Sequence, residues 1–311
     1  MFAGIDIGGT NIKYGIINHD GEIVFRDSIP TEPQKGPEHM IQSLHAIIDR
    51  LTNTHPDIQS VGIGFPSVVN PKDGCIYHPP NLPGWGIVQL RQILQSKNSV
   101  PIAIDNDANV AALAESTLGA GKDCSHFLYV TLGTGIGGGI IINHALYAGE
   151  KGGAGEIGHI IIKADEIPGD ELPYRTGTLE HHLGRYGLIR MALEIARDYP
   201  DSMLHSFVPL DVEDISLSAE KGDEAAILCM KKAGTLLGLG LASILAILDM
   251  HVIVIGGGIS QSCSTFFDAI LETIQRRALP TIANFVEIRK AHFTSHAGLI
   301  GASMLGKSII K

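Results

Sequence analysis

Cysteine is scarce in this chain, with four in 311 residues. Cys75, Cys124, Cys229 and Cys263 stand far apart, so neither a disulfide framework nor a paired-cysteine zinc motif is available. A reducing compartment, the cytoplasm, is the expected location. Basic runs are missing as well. The 23 Lys and Arg are outnumbered by 33 Asp and Glu, for a net charge of −10. Nothing in that pattern grips a phosphodiester backbone, which excludes nucleic acid as an expected partner. There is no leader pattern, since Met1 runs almost directly into an apolar strand. No apolar run reaches the ~20 residues that span a bilayer. The longest, Ala233–Leu248, is rich in Gly and Ala and stops at Asp249. It reads as a buried core helix, and no membrane is expected as a partner.

Glycine, by contrast, is abundant at 37 residues and clusters in a few turns, the pattern of a backbone that approaches ligands closely. A length of 311 residues exceeds one ordinary core, so two domains are expected. Strand and helix patterns alternate throughout, which gives the α/β class. Phe2–Ile7, Ile12–Ile17 and Glu22–Ile29 read as strands, with a hairpin signal at Asn18–Gly21. Gly36–Thr54 carries a helical stripe of Met40, Ile41, Leu44, Ile47, Ile48 and Leu51. Ser60–Phe65 is a strand and Pro66–Gly86 a long connection, a kind of loop that tends to be functional. Ile87–Gln95 reads as helix. Farther on, helical periodicity covers Thr178–Pro200, Asp223–Leu248, Ser264–Ala278 and Leu299–Ile309. Val252–Ile255 and Phe285–Arg289 read as strands. The expected domains are 1–117 and 118–297, with the helix of 298–311 returning to the first.

The chain is organised around Ile102–Glu115. Pro101 opens a short buried strand, Ile102-Ala103-Ile104, and Val110, Ala111, Leu113 and Ala114 follow at helical spacing. Asp105, Asn106 and Asp107 therefore sit at a strand end that opens a helix. In α/β proteins that place faces the ligand crevice. One of the three is expected to cap the helix; three in a row exceed what a cap requires, so a carboxylate aimed at a substrate is the functional reading.

Two Gly/Thr turns repeat one pattern, Ile5-Asp6-Ile7-Gly8-Gly9-Thr10 against Val130-Thr131-Leu132-Gly133-Thr134-Gly135. Such turns can cradle phosphate oxygens on backbone N–H groups. Two copies suggest the two walls of one nucleotide cleft, and Asp6 beside a phosphate implies an intervening Mg²⁺. Gly256-Gly257-Gly258 is either a tight strand-to-helix turn, with Ser264 as cap, or a contact to a nucleotide's sugar or base. Gly152–His159 combines small residues with Glu156 and His159, the donors and acceptors that sugar hydroxyls need. Glu180 opens the next helix.

Together, Asp6–Thr10, Asn81-Leu82-Pro83-Gly84-Trp85, Asn106-Asp107-Ala108-Asn109, Leu132–Gly139 and Gly155-Glu156-Ile157-Gly158-His159 resemble the ROK family, which groups sugar kinases with sugar-responsive repressors. The resemblance covers the full chain in the family's order. It implies an actin-like ATPase (ribonuclease H-like) fold, with two domains around a nucleotide and sugar cleft, and activity on ATP, Mg²⁺ and a hexose. It implies Asp107 as catalytic base, and Asn81, Asn106, Asp107, Glu156, His159 and Glu180 as sugar-binding residues. Asp6, Gly8, Gly9, Thr10 and Lys13, with Gly133, Thr134, Gly135, Gly257 and Gly258, would face the nucleotide, and Asp6 the Mg²⁺, through water or directly. Glucose is the first substrate implied, with N-acetylmannosamine, N-acetylglucosamine and fructose as alternatives, and a homodimer is the family-level expectation.

The chain departs from the family after His159. Many members carry a cysteine-rich, zinc-binding segment there, whereas Ile160–Glu180 holds no cysteine. His181 and His182 offer imidazoles, but neighbouring residues seldom point the same way, so no structural zinc is expected. Ser67 stands where Gly is common. A repressor would need an added DNA-binding domain, commonly N-terminal, and the first strand begins at Phe2. A non-catalytic sugar sensor on the same fold is the rival of another class.

Overall fold

The computed structural model describes residues 1–79, 82–168 and 173–310. The chain opens with β1 (Phe2–Ile7), β2 (Asn11–Ile17) and β3 (Ile23–Pro30), then α1 (Gly36–Thr54) and β4 (Ser60–Phe65). Three two-residue strands follow, β5 (Val68–Val69), β6 (Ile76–Tyr77) and β7 (Ile87–Val88), with α2 (Leu90–Gln95), β8 (Ile102–Asn106) and α3 (Asp107–Thr117). Next come β9 (Phe127–Leu132), β10 (Ile136–Ile142) and β11 (Ala145–Leu146). The helical part holds α4 (Leu179–Leu183), α5 (Arg185–Ala196), α6 (Val212–Glu220) and α7 (Glu224–Leu248). The chain ends with β12 (Val252–Gly256), α8 (Ser264–Arg277), α9 (Pro280–Ala283), β13 (Glu287–Lys290) and α10 (Ala297–Ser308).

Two compact units result. The first comprises Met1–Ser125, Gly139–Gly155 and the segment from His292 onward; the second comprises His126–Gly138 and Glu156–Ala291. The sequence reading put 139–155 with the later residues. It belongs to the first unit because it packs there: a Cβ on Gly139 would meet Ala112 of α3, and one on Gly152 would strike the Val69 carbonyl.

In the first unit the sheet order is β3-β2-β1-β4-β8. β1 to β3 form an antiparallel meander, and β4 and β8 join parallel to β1. The apolar stripe of α1 is buried with Ile5, Ile7, Ile63 and Ile104 in one core. A small sheet, β5-β6-β7, forms within the long connection. Its last strand takes Ile87–Val88, which the sequence reading gave to a helix; α2 starts only at Leu90. Those two β-branched residues pair with Ile76 and Tyr77, and a partner strand overrides weak helical periodicity.

Helix α10 packs against β1 and β4 through glycine. A Cβ on Gly4 would strike the Leu299 carbonyl, one on Gly62 the Ala302 carbonyl, and one on Gly301 the Val110 carbonyl of α3. Close backbone approach of this kind leaves no room for a methyl group. Glu115 closes the unit. Fully buried, its carboxylate accepts from the N–H groups of Ala120 (2.7 Å), His292 (3.1 Å) and Phe293 (2.8 Å).

The second sheet has the order β11-β10-β9-β12-β13. β12 runs parallel to both β9 and β13. Helix α7 starts at an Asp223 cap and is long and apolar enough to cross a membrane by length and composition alone. One side of it is buried, with Gly234 and Gly238 lying close to Phe266, Ala269 and Thr273 of α8. The helical run expected over Thr178–Pro200 is broken at Gly184 into α4 and α5. Ser264 is the first residue of α8 rather than its cap. The strand expected over Phe285–Arg289 begins at Glu287.

Gly301→Ala should destabilise the protein by about 1–3 kcal/mol, the usual cost of overpacking, seen as a lower midpoint in denaturant unfolding. Gly86→Ala is the control, since an added Cβ there meets nothing within 4 Å. Equal midpoints for the two variants would contradict the packing described.

Candidate active site

At the end of β8 the three polar residues divide their work. Asn106 has extended backbone angles, and its Oδ1 accepts from the N–H groups of Ala108 (2.9 Å) and Asn109 (3.3 Å). Its Nδ2 donates to the Ser67 carbonyl at 3.1 Å. Asn106 is therefore the cap, as well as a tie to the loop after β4. Asp105 is buried, and its Oδ1 accepts from the Asn106 N–H (2.7 Å) and the Asn109 Nδ2 (2.8 Å). Burial pushes its pKa up, against these two bonds. Asp107 is the first residue of α3 and is exposed, its Oδ1 accepting from the Ala108 N–H at 2.9 Å.

Asp6 lies in the same sheet, opposite Gly64, which is in turn opposite Asp105. A Cβ on that glycine would strike the Val110 side chain of α3, which packs there. Asp6 packs over Gly298 of α10, where a Cβ would overlap its carboxyl group. Burial raises the Asp6 pKa, and Lys13, paired with it across β2, opposes the shift. The adjoining turn is tied at three points: Gly8 N–H donates to the Asn11 carbonyl (3.0 Å), Thr31 Oγ1 to the Gly8 carbonyl (2.6 Å), and Thr31 N–H to the Thr10 carbonyl (2.9 Å). Gly9 borders open space. Lys13 Nζ donates to the Ser295 carbonyl at 3.4 Å.

In the second unit the Gly133–Gly135 turn is braced by Glu180. One carboxylate oxygen accepts from the Ile136 N–H at 2.9 Å, and the other pairs with Arg175 at 3.5 Å. A Cβ on Gly135 would strike that carboxylate, whereas Gly133 borders open space. The Arg185 N–H donates to the carbonyls of Gly133 (3.1 Å) and Thr134 (3.2 Å). Gly257 has φ +83° and lies against the Leu132 backbone; Gly258 borders open space. Glu156 precedes and His159 ends a short helical turn over Ile157–His159, with 3.9 Å between His159 Nε2 and the Glu156 carboxylate. Burial raises the Glu156 pKa, Glu180 adds to the rise, and His159 opposes it.

The first unit thus gathers Asp6, Gly8, Gly9, Thr10, Lys13, Asn106 and Asp107 at the ends of neighbouring strands. The second gathers Gly133–Gly135 with Glu180, and Gly257 beside Leu132. Asn81 lies outside the described residues. Arg175, the partner of Glu180, escaped the sequence reading because it sits in an irregular segment with no periodic signal. The expectation that His181 and His182 diverge is corrected. His181 Nδ1 (3.5 Å) and His182 Nε2 (3.1 Å) both face Glu166 Oε2. One uses its near nitrogen and the other its far nitrogen, so rings on adjacent residues converge.

Asn106→Ala removes the cap and the tie to Ser67 together. It should cost about 1–2 kcal/mol, measured by denaturant unfolding, while Asn106→Asp, which keeps the acceptor, should cost less. An alanine variant as stable as the parent would contradict the capping role.

Residues 2–309 match the ROK family model. A glucokinase of Halalkalibacterium halodurans is 34% identical over 317 residues, covering 98% of this chain and 94% of that protein. The structure of a ROK family glucokinase from Streptomyces griseus, in complex with glucose and AMPPNP, matches with a TM-score of 0.83 at 29% identity, covering 99% of each chain. The ROK hexokinase from Thermus thermophilus matches with a TM-score of 0.81 at 29% identity, covering 99% of this chain and 98% of that one. The mixed α/β, two-sheet architecture is the actin-like ATPase fold of these sugar kinases. With sequence, fold and the glycine turns in agreement along its whole described length, the chain belongs to the ROK family.

Proposed function

We propose that this chain is an ATP-dependent sugar kinase that phosphorylates a hexose, with glucose as substrate and its 6-hydroxyl as acceptor. The observation that carries the reading is the junction at the end of β8. Asn106 caps α3 and Asp105 is held by buried hydrogen bonds, and Asp107 stands at the exposed first position of the same helix. The glucokinase relative of H. halodurans and the glucose complex of the S. griseus enzyme support the same choice.

Phosphoryl transfer depends on positioning and charge neutralisation. Asp107 accepts the proton of the sugar hydroxyl on its carboxylate. The hydroxyl oxygen then bonds to the γ-phosphorus while the bond to the β,γ-bridging oxygen breaks, and ADP leaves. Glu156 and His159, with Asn81, Asn106 and Glu180, orient the sugar by its hydroxyls. Gly8, Gly9, Thr10, Lys13, Gly133, Thr134, Gly135, Gly257 and Gly258 receive ATP. The residues suit that substrate: Gly9, Gly133 and Gly258 border open space that a Cβ would enter. Asp6 is the residue that would hold Mg²⁺, directly or through water, and the ion when bound supplies positive charge against the phosphate oxygens. A hard cation suits a carboxylate at the buried end of a strand, and its charge would keep Asp6 ionised. A cytoplasmic homodimer belongs to the same proposal; three of the four cysteines are buried and all are free thiols.

Asp107→Asn should lower kcat by about 10²–10⁴-fold, the usual contribution of a general base, with the sugar KM within a few-fold of the parent. Turnover near the parental rate would overturn the role. Sugar binding without sugar-dependent ATP consumption in the parent itself would point instead to a non-catalytic sensor.

The acid limb of kcat/KM supplies a second test. A hydroxyl donates to the ionised Glu156, so sugar capture fails as falling pH protonates that carboxylate. Because its pKa is raised, the limb should lie above pH 4.5, the ordinary glutamate value. Glu156→Gln should lower the plateau and remove this limb. A limb at or below 4.5, or one unchanged in the variant, would exclude Glu156 from sugar capture.

A further inference from the structure

The cysteine-type zinc site of the family does not fit this chain, since Ile160–Glu180 offers no thiolate. A different donor set is built a few residues away. Glu166, His181 and His182 each offer one ligand atom, and the three atoms lie within 4.8 Å of one another. They line a cavity of about 570 Å³, together with Lys163, Arg190 and Glu194. The geometry points to a binding site for a zinc-class divalent cation at Glu166, His181 and His182, distinct in its ligands from the site that the cysteines would have made.

Several features favour this set. Zinc bonds to imidazole nitrogen and carboxylate oxygen at about 2.0–2.2 Å, so ligand atoms around a tetrahedral ion lie roughly 3.3 Å apart. The separations from Glu166 Oε2 are 3.5 Å to His181 Nδ1 and 3.1 Å to His182 Nε2. His181 Nδ1 accepts from the Gly177 N–H at 3.4 Å, so that nitrogen carries no proton, and this long bond is given up when the lone pair turns to the ion. His182 ligates as the neutral imidazole through an unprotonated Nε2, as metal ligation requires. Two imidazoles with one carboxylate suit zinc, whereas Mg²⁺ and Ca²⁺ prefer oxygen ligands throughout. The cavity supplies room for water as fourth ligand. The other oxygen of Glu166 pairs with Lys163 at 3.3 Å, a contact that fixes the carboxylate while one oxygen stays turned to the imidazoles.

The position gives the ion a structural task. The loop after His159 is already pinned at its ends, by the Ile161–Thr178 bridge and by the N–H groups of Ile162 and Lys163 on the Gly177 carbonyl. Glu166 lies beyond those pins, and His181 and His182 follow Glu180 on α4. The ion would therefore clip the loop to the helix that carries Glu180.

The full chain, stripped with EDTA and dialysed, is titrated with zinc chloride and separately with magnesium chloride. Bound metal is counted by elemental analysis, and melting temperature is read on the same samples. One zinc per chain surviving dialysis and a melting temperature raised by zinc but not by magnesium are expected. Glu166→Gln and His182→Ala should each weaken zinc binding by at least about 100-fold, since loss even of outer-shell partners costs 10–100-fold. His182 is buried, and its variant risks misfolding. Glu166→Gln is near-isosteric and partly exposed, so it decides the matter alone if necessary. Absence of bound zinc in the parent would overturn the proposal. So would equal zinc retention in Glu166→Gln, which would trace the metal to others of the 14 histidines.

Discussion

The strand-to-helix junction at Asp105–Asp107 sets the terms for the rest of the first unit. Helix α3 begins with N–H groups that no carbonyl within the helix can reach, and it begins at the end of a buried strand. Asn106 satisfies two of those groups with one oxygen. Asp105 then holds Asn109 on the first turn from inside, so the turn is fixed from both sides. Asp107, the third polar residue, shares the Ala108 N–H and stands exposed at the first position of the helix. The same economy governs the second unit, where Glu180 serves the Ile136 N–H and Arg175 at once and so shapes the Gly133–Gly135 turn.

The sequence showed a repeat of one short motif, Asp6–Thr10 against Thr131–Gly135. The structure extends that resemblance to whole sheets. The orders β3-β2-β1-β4-β8 and β11-β10-β9-β12-β13 correspond strand for strand: an outer meander strand, a return strand, an opening strand, then two later partners. The repeat was visible at the turns because glycine is demanded there by geometry. It was invisible elsewhere because many apolar sequences satisfy a buried strand equally well.

Long amphipathic and apolar elements were legible for the same reason that they fold. Five of the six stripe residues of α1, Met40, Leu44, Ile47, Ile48 and Leu51, are buried, and Ile41 packs at the edge of the same core. Short elements were not: Ile87–Val88 is a strand only because Ile76 and Tyr77 lie beside it. Among the candidate site residues, the glycine turns and the Asp105–Asp107 run could be read because strand and helix patterns bracket them. The convergence of His181 and His182 could not, because it depends on which ring nitrogen each side chain presents. Nor could the pairing of Arg175 with Glu180, which is fixed by the path of an irregular segment.

Helix α10 has a consequence for how the chain comes into being. It covers β1 and β4 through the bare backbones of Gly4 and Gly62, yet it is synthesised after every residue of the second unit. While the ribosome is still making Glu156–Ala291, the first sheet has strands but no lid over that face, and a glycine-lined apolar surface faces water. The second unit ends at Ala291, so all of its residues are made before α10. Domains usually fold in the order in which they are made; here the unit begun first cannot be finished until α10 has been made.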